Sequence, residues 1–375
     1  MAEWANGVGS PRQRLVSARP ARQRLVSVRP ARQRRIRIDA ALLALLAVIG
    51  CGTRPPTSAL PKAETPQLHQ GALTDLVPAA GLRWLVVARP KQLLSDPQVT
   101  RATDRLFPPK QLQAFADISG LDLRNLESSA VAGFDIGTLY LAETRSSIGV
   151  AQQSFVDRLV SDPVVKHPSD RITITTGIIG TTPESFVAME GIGIGVAVKD
   201  PLLAKIASGF ALGKLKKSPS AFNGAALRDM PTELAQFPAQ FYALGPFEGK
   251  WADGAEGLLG HTTAVAVVAR PDQDGLLRLK ILATGSYGND LSNVNLRVRQ
   301  LYLNLAQSDL GRLLGFASED VTPEIAVESQ RVAVTLAIPL KRLMDGLYTA
   351  VAAEVWDLLE IRKPSKPVTQ PGANL

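Results

Sequence analysis

The single thiol of this chain, Cys51, stands at the end of an apolar run that extends only from Ala40 to Ile49. With one cysteine no intrachain disulfide can form, and thiolate zinc and iron–sulfur sites, which need several sulfurs, are excluded. The apolar run is about half the ~20 residues that a bilayer-crossing helix requires. The rest of the 375 residues must therefore be held together by a hydrophobic core, and 45% apolar composition suffices for one large domain or two ordinary ones.

Ahead of the apolar run lies the basic stretch Arg34-Arg35-Ile36-Arg37, and after it the small residue Gly50. Positive charge, a short apolar segment and a small residue at the cut are, in that order, the parts of a secretory signal. Residues 1–50 thus read as a basic leader and signal peptide. The four residues Val48-Ile49-Gly50-Cys51 resemble the lipobox of bacterial lipoproteins, with Val48 where the family usually has Leu. The resemblance implies cleavage before Cys51 and lipidation of its sulfur with palmitate-type acyl chains. At about 0.8 kcal/mol per buried methylene, two such chains hold a protein firmly on a membrane. The chain as a whole is similar to uncharacterised lipoproteins of myxobacteria. By the same resemblance Gly52, rather than Asp, beside the lipidated cysteine implies sorting to the outer membrane, facing the periplasm.

Charge supports this division of the chain. Residues 1–50 hold ten arginines against Glu3 and Asp39, and that excess is the whole of the formal +8; the remaining 32 basic and 32 acidic residues cancel. The body has no charge imbalance for steering phosphates, and no aromatics interleaved with Lys and Arg to stack bases, so nucleic acid is not an expected partner. The ten-residue repeat that begins at Arg12, Arg22 and Arg32 is too short for a packed solenoid unit and lacks an apolar face. Residues 51–75, rich in Pro and Thr and containing His69, read as the lipidated cysteine and a flexible tether. Residues 363–375 read as a disordered tail.

Between them, residues 76–362 read as an α+β body in which antiparallel β hairpins alternate with helices. Strands are expected at Leu82 to Ala88, around Ala130 to Leu141, at Arg171 to Ile179, and through the glycine-isoleucine alternation of Glu184 to Val198. In the last of these Gly191, Gly193 and Gly195 leave one face bare, so a neighbour presses closely there or the strand bends. Asp200 and Pro201 start a helix to Ala211. Further strands are expected at Ala239 to Leu244, at His261 to Ala269 with a hairpin partner Leu276 to Thr284, and at Arg331 to Ile338. Helices are expected at Gly149 to Ser161, Ser292 to Gly311 and Leu340 to Leu359. The pentapeptide VVARP occurs at Val86 to Pro90 and again at Val267 to Pro271, which suggests two similar lobes divided near residue 250.

No catalytic residue, metal ligand set or cofactor motif stands out. The three histidines lack paired spacing, GxSxG is absent, and Gly191 to Gly195 is GxGxG within a strand pattern rather than a phosphate loop. One stretch does stand out. Phe237, Phe241, Tyr242, Phe247 and Trp251 gather five aromatics within fifteen residues, broken by Gly and Pro. They form a candidate patch for an envelope protein or for a small apolar or saccharide ligand. The expected function is accordingly that of a membrane-anchored, non-enzymatic binding or structural protein. The alternative is an envelope hydrolase whose carboxylates converge only in the fold.

Overall fold

Runs of β-branched and aromatic residues, cut by Gly, Asp and Pro, form one antiparallel sheet with helices on both faces. The computed structural model describes residues 68 and 71–359, less 105, 145–147, 216, 250–254 and 256. Cys51, the leader, Trp251 and the tail 363–375 lie outside the described residues. In chain order the elements are β1 (Leu82–Ala88), α1 (Pro90–Ser95), α2 (Pro97–Thr103), α3 (Pro109–Ser119), β2 (Leu126–Phe134), β3 (Gly137–Thr144) and α4 (Ile148–Val156). The middle of the chain gives β4 (Val164–Ser169), β5 (Ile172–Ile179), β6 (Thr182–Met189), β7 (Ile194–Val198), α5 (Pro201–Ala211) and β8 (Ala239–Leu244). There follow β9 (Thr262–Pro271), β10 (Leu276–Gly285), α6 (Leu291–Gln307), α7 (Asp309–Leu314), β11 (Glu324–Glu328), β12 (Arg331–Pro339) and α8 (Leu340–Leu359).

The fold is α+β, as the sequence suggests. Among the described residues twelve strands form a single sheet in the order β11-β12-β10-β9-β8-β1-β2-β3-β7-β6-β5-β4, with every neighbouring pair antiparallel. Strand β1 therefore lies in the middle, between β2 and β8. The strands on either side of residue 250, β8 and β9, pair directly through Ala239↔Ala269 to Leu244↔Ala264, so the sheet continues across the position where two lobes were expected to part. The packed body also reaches back to Leu68 and Leu73, which are buried in the main core, within the stretch read from sequence as tether.

Because side chains alternate along a strand, the pairing register assigns each residue to a face. Leu85 lies opposite Ala132 on β2 and Tyr242 on β8, and this face carries the main core, including Leu139, Val196, Ala266 and Leu282. Helix α5 covers part of it with Leu203, Ala204, Ala207 and Ala211. The helix forms where expected because Asp200 accepts a hydrogen bond from the Leu202 N–H (2.7 Å) and Pro201 occupies the first turn. On the opposite face α4 packs Ile148, Ala151 and Phe155 against Phe186 and Ala188 of β6. At the far side of that face Val294 and Val298 of α6 pack with Val332 of β12. Each large apolar side chain so buried contributes about 1.5–3 kcal/mol.

Several local expectations change in the fold. The run Glu184 to Val198 is not one strand but a hairpin, β6 and β7, because Gly191 and Gly193 take left-handed φ of +85° and +64°. A Cβ at Gly193 would overlap the carbonyl oxygen of Thr144, whose N–H in turn donates to the Gly193 carbonyl (2.9 Å). Gly195 also bears out the close approach expected on the bare face: a Cβ there would sit 2.7 Å from Ile148 Cδ1 of α4 and 2.9 Å from Phe186. The helix expected from Ser292 to Gly311 breaks into α6 and α7 at Ser308, whose hydroxyl accepts from the Gly311 N–H (3.0 Å) and caps the second helix. The helical stretch from Gly149 ends at Val156 rather than Ser161.

The two VVARP segments occupy equivalent places. They end β1 and β9, the two strands that flank β8, and Val86 and Val267 both lie opposite Phe241. Their arginines converge on the segment before β8. Arg89 donates to the carbonyls of Ala235 (2.8 Å) and Gln236 (3.4 Å), and the Arg270 guanidinium lies over the Phe237 ring, 5.4 Å from its centroid.

Candidate functional site

The alternation that buries Leu85 and Tyr242 turns Trp84, Val86, Phe241 and Ala243 to the other face, between the parts covered by α4 and by α6. Here β1 and β8 form the floor of an open trough of about 680 Å³, walled by Leu244, Pro246 and Phe247 and flanked by Arg83 and Glu248. Phe241 is 40% exposed, whereas its neighbour Tyr242 is 1% exposed. The Trp84 indole lies across Gly133 of β2, where any Cβ would overlap the ring. Glycine at that position therefore makes the seat for the tryptophan. At the rim, Arg83 forms a fork with Asp135, with Nε and Nη2 donating at 2.8 and 3.3 Å. That pairing raises the Arg83 pKa further.

The aromatic stretch singled out in the sequence is thus divided by the fold. Phe241 and Phe247 line the trough. Tyr242 faces the main core, edge-on to Phe222 with ring centroids 5.0 Å apart, and its hydroxyl donates to Gln240 Oε1 (2.9 Å). Burial pushes its phenol well above the ordinary range. Phe237 packs against the core under Arg270, and Trp251 lies outside the described residues. The sequence reading missed Trp84 and Val86, although their i, i+2 spacing on a predicted strand puts them on one face. That this face lies open beside Phe241 depends on β1 pairing with β8, a contact between distant parts of the chain.

Glu184 of β6 has its carboxyl raised by burial, an effect opposed by the charges of Lys199 and Arg158. Asp122 and Asp272 are held below the usual carboxylate range by their hydrogen bonds with Arg124 and Arg278. Among the described residues no group of three or more His, Cys, Asp or Glu side chains could hold a metal ion. Among the described residues no helix is long and apolar enough to cross a membrane.

No protein-family model matches the chain, and no curated protein sequence matches it. Among solved structures it is similar to crystal form III of TP0453, with a TM-score of 0.44 and 9% identity over 75% of this chain and 99% of that one. Crystal form IV of TP0453 gives a TM-score of 0.43 and 10% identity over 73% of this chain and 95% of that one.

Proposed function

We propose that this protein is an envelope lipoprotein, tethered through Cys51, whose body is a non-enzymatic docking module taking an apolar segment of a partner protein into the trough between β1 and β8. The observation that carries the docking reading is the trough itself: Phe241 exposed beside the half-buried Trp84 and Phe247 on one face of the sheet. Aromatic anchors in a pocket are where binding energy concentrates in protein interfaces. A saccharide fits less well, since sugars need hydrogen-bonding groups beside the aromatic ring. Among the described residues Arg83 and Glu248 are the only charged side chains of the lining, and Arg83 is already engaged with Asp135. The tether rests on the Val48 to Cys51 motif, and Gly52 supports the outer membrane with the body in the periplasm.

The two parts of the reading have separate tests. Metabolic labelling with a fatty acid should mark the chain, and Cys51→Ser should abolish the mark without altering the circular dichroism of the body. Label retained in that variant refutes the lipid anchor. For the trough, benzoylphenylalanine placed at position 241 and irradiated in growing cells should give one discrete adduct that disappears when Trp84→Ala is added. The same photoprobe at the exposed Leu296 of α6 is the control. No adduct from 241, or the same adduct from 296, refutes docking at the trough.

A further inference from the structure

A second cavity, on the opposite face of the sheet and independent of the trough, has a different chemistry. It opens between α5 and strands β4–β6 and holds about 620 Å³, within the ~300–1,000 Å³ of small-molecule pockets. The pairings Thr176↔Ser185 and Ser185↔Val198 put its wall on the Leu85 face. Its deep surface is apolar, made by Ile174, Ala204 and Leu212. Its mouth carries Lys166 from β4, Lys205 from α5 and Lys214 from the turn after α5. Among the described residues none of the three has a carboxylate within ion-pair distance, and no acidic side chain lines the cavity. Asp200, at the start of α5, has its carboxylate engaged by the Leu202 N–H.

Lys166, Lys205 and Lys214 come from separate elements to one opening and are exposed, so their positive charge favours an anion at the mouth. On the wall, Thr176 Oγ1 and Ser185 Oγ are 2.8 Å apart. One of these hydroxyls donates to the other, so the pair retains one hydrogen for an incoming acceptor. We infer that this cavity binds a single-chain amphiphile with an anionic head, the alkyl chain lying along Ile174, Ala204 and Leu212 and the carboxylate or phosphate held among Lys166, Lys205 and Lys214.

Calorimetric titration of the full chain carrying Cys51→Ser, prepared without detergent, tests this with four probes: decyl phosphate, decanoate, decyltrimethylammonium and inorganic phosphate. The two anionic amphiphiles, kept below micellisation, should bind one per chain, and the cationic one should not bind. Each methylene added to the chain should tighten binding about fourfold until the cavity is full. The combined Lys166→Gln, Lys205→Gln and Lys214→Gln variant should bind about tenfold more weakly. Leu202→Asp, at an exposed position on the mouth, should weaken binding in the same direction and serves if the triple variant does not fold. Phe241→Ala, in the trough, should leave binding unchanged. Equal binding of the cationic amphiphile, or undiminished binding in the lysine and Leu202 variants, overturns the inference. Inorganic phosphate binding as tightly as decyl phosphate also overturns it, in favour of a bare anion site.

Discussion

Tyr242 and Phe241 are chain neighbours of similar size, yet one is sealed in the core and the other is 40% exposed on the opposite side of the same strand. On β1 the contrast is repeated by Leu85, directly across from Tyr242, and Trp84, across from Ala243. The difference shows that an aromatic cluster in a linear sequence is two populations once it lies on a strand. Half of it supports the fold, and only the half on an open face is free to meet a partner. A cluster count therefore overstates a binding site by about a factor of two, as the period of a strand requires.

Stability measurements should break or sharpen this contrast. Tyr242→Ala should have the largest effect, a loss of about 3–5 kcal/mol in urea unfolding, since it leaves a cavity beside Phe222. Gly133→Ala should cost about 1–3 kcal/mol through its overlap with the Trp84 ring, and Trp84→Ala in the same chain should recover part of that loss. Additive losses would mean that Gly133 is not the tryptophan's seat. Phe241→Ala should change stability by no more than about 0.5 kcal/mol; a loss as large as that of Tyr242→Ala would remove the distinction between the faces.

The smallest effect concerns Glu184. Its carboxyl is raised in the folded protein, so the folded state holds the proton more tightly than the unfolded one. Its contribution to stability is then full below the ordinary value of 4.5 and is lost as pH rises through the raised value. Glu184→Gln should flatten that part of the profile of urea midpoint against pH, and an unchanged profile would count against the burial of this carboxyl.

Much of the fold was legible because its central strands carry their own signal. Ala239 to Leu244 is β8 as read, and the turn at Asp272 to Gly275 joins β9 to β10, with Gly275 at φ +77°. The two edge strands were missed for opposite reasons. In β4 nearly every residue is exposed and Pro168 interrupts the run, so no alternation reports a buried face. In β11 the alternation is present, but the strand is short and has Glu324 and Glu328 at its ends. Helix α3 also escaped, since Leu112 is its only fully buried residue and little of its length is constrained by the core. Of the site, Phe241 and Phe247 were legible as aromatics near glycine and proline. Trp84 was not, because its partner in the trough arrives from a strand far along the chain.

The place of β1 between β2 and β8 has a consequence for a chain delivered amino terminus first. Strands β2 to β7 can assemble on one flank of β1 as soon as they emerge, but the other flank has no hydrogen-bonding neighbour until residues 239–244 appear. Through that interval the most interior strand of the finished protein has an unsatisfied backbone edge, open to pairing with the wrong chain. An escort would have its greatest effect there, before β8 closes the gap.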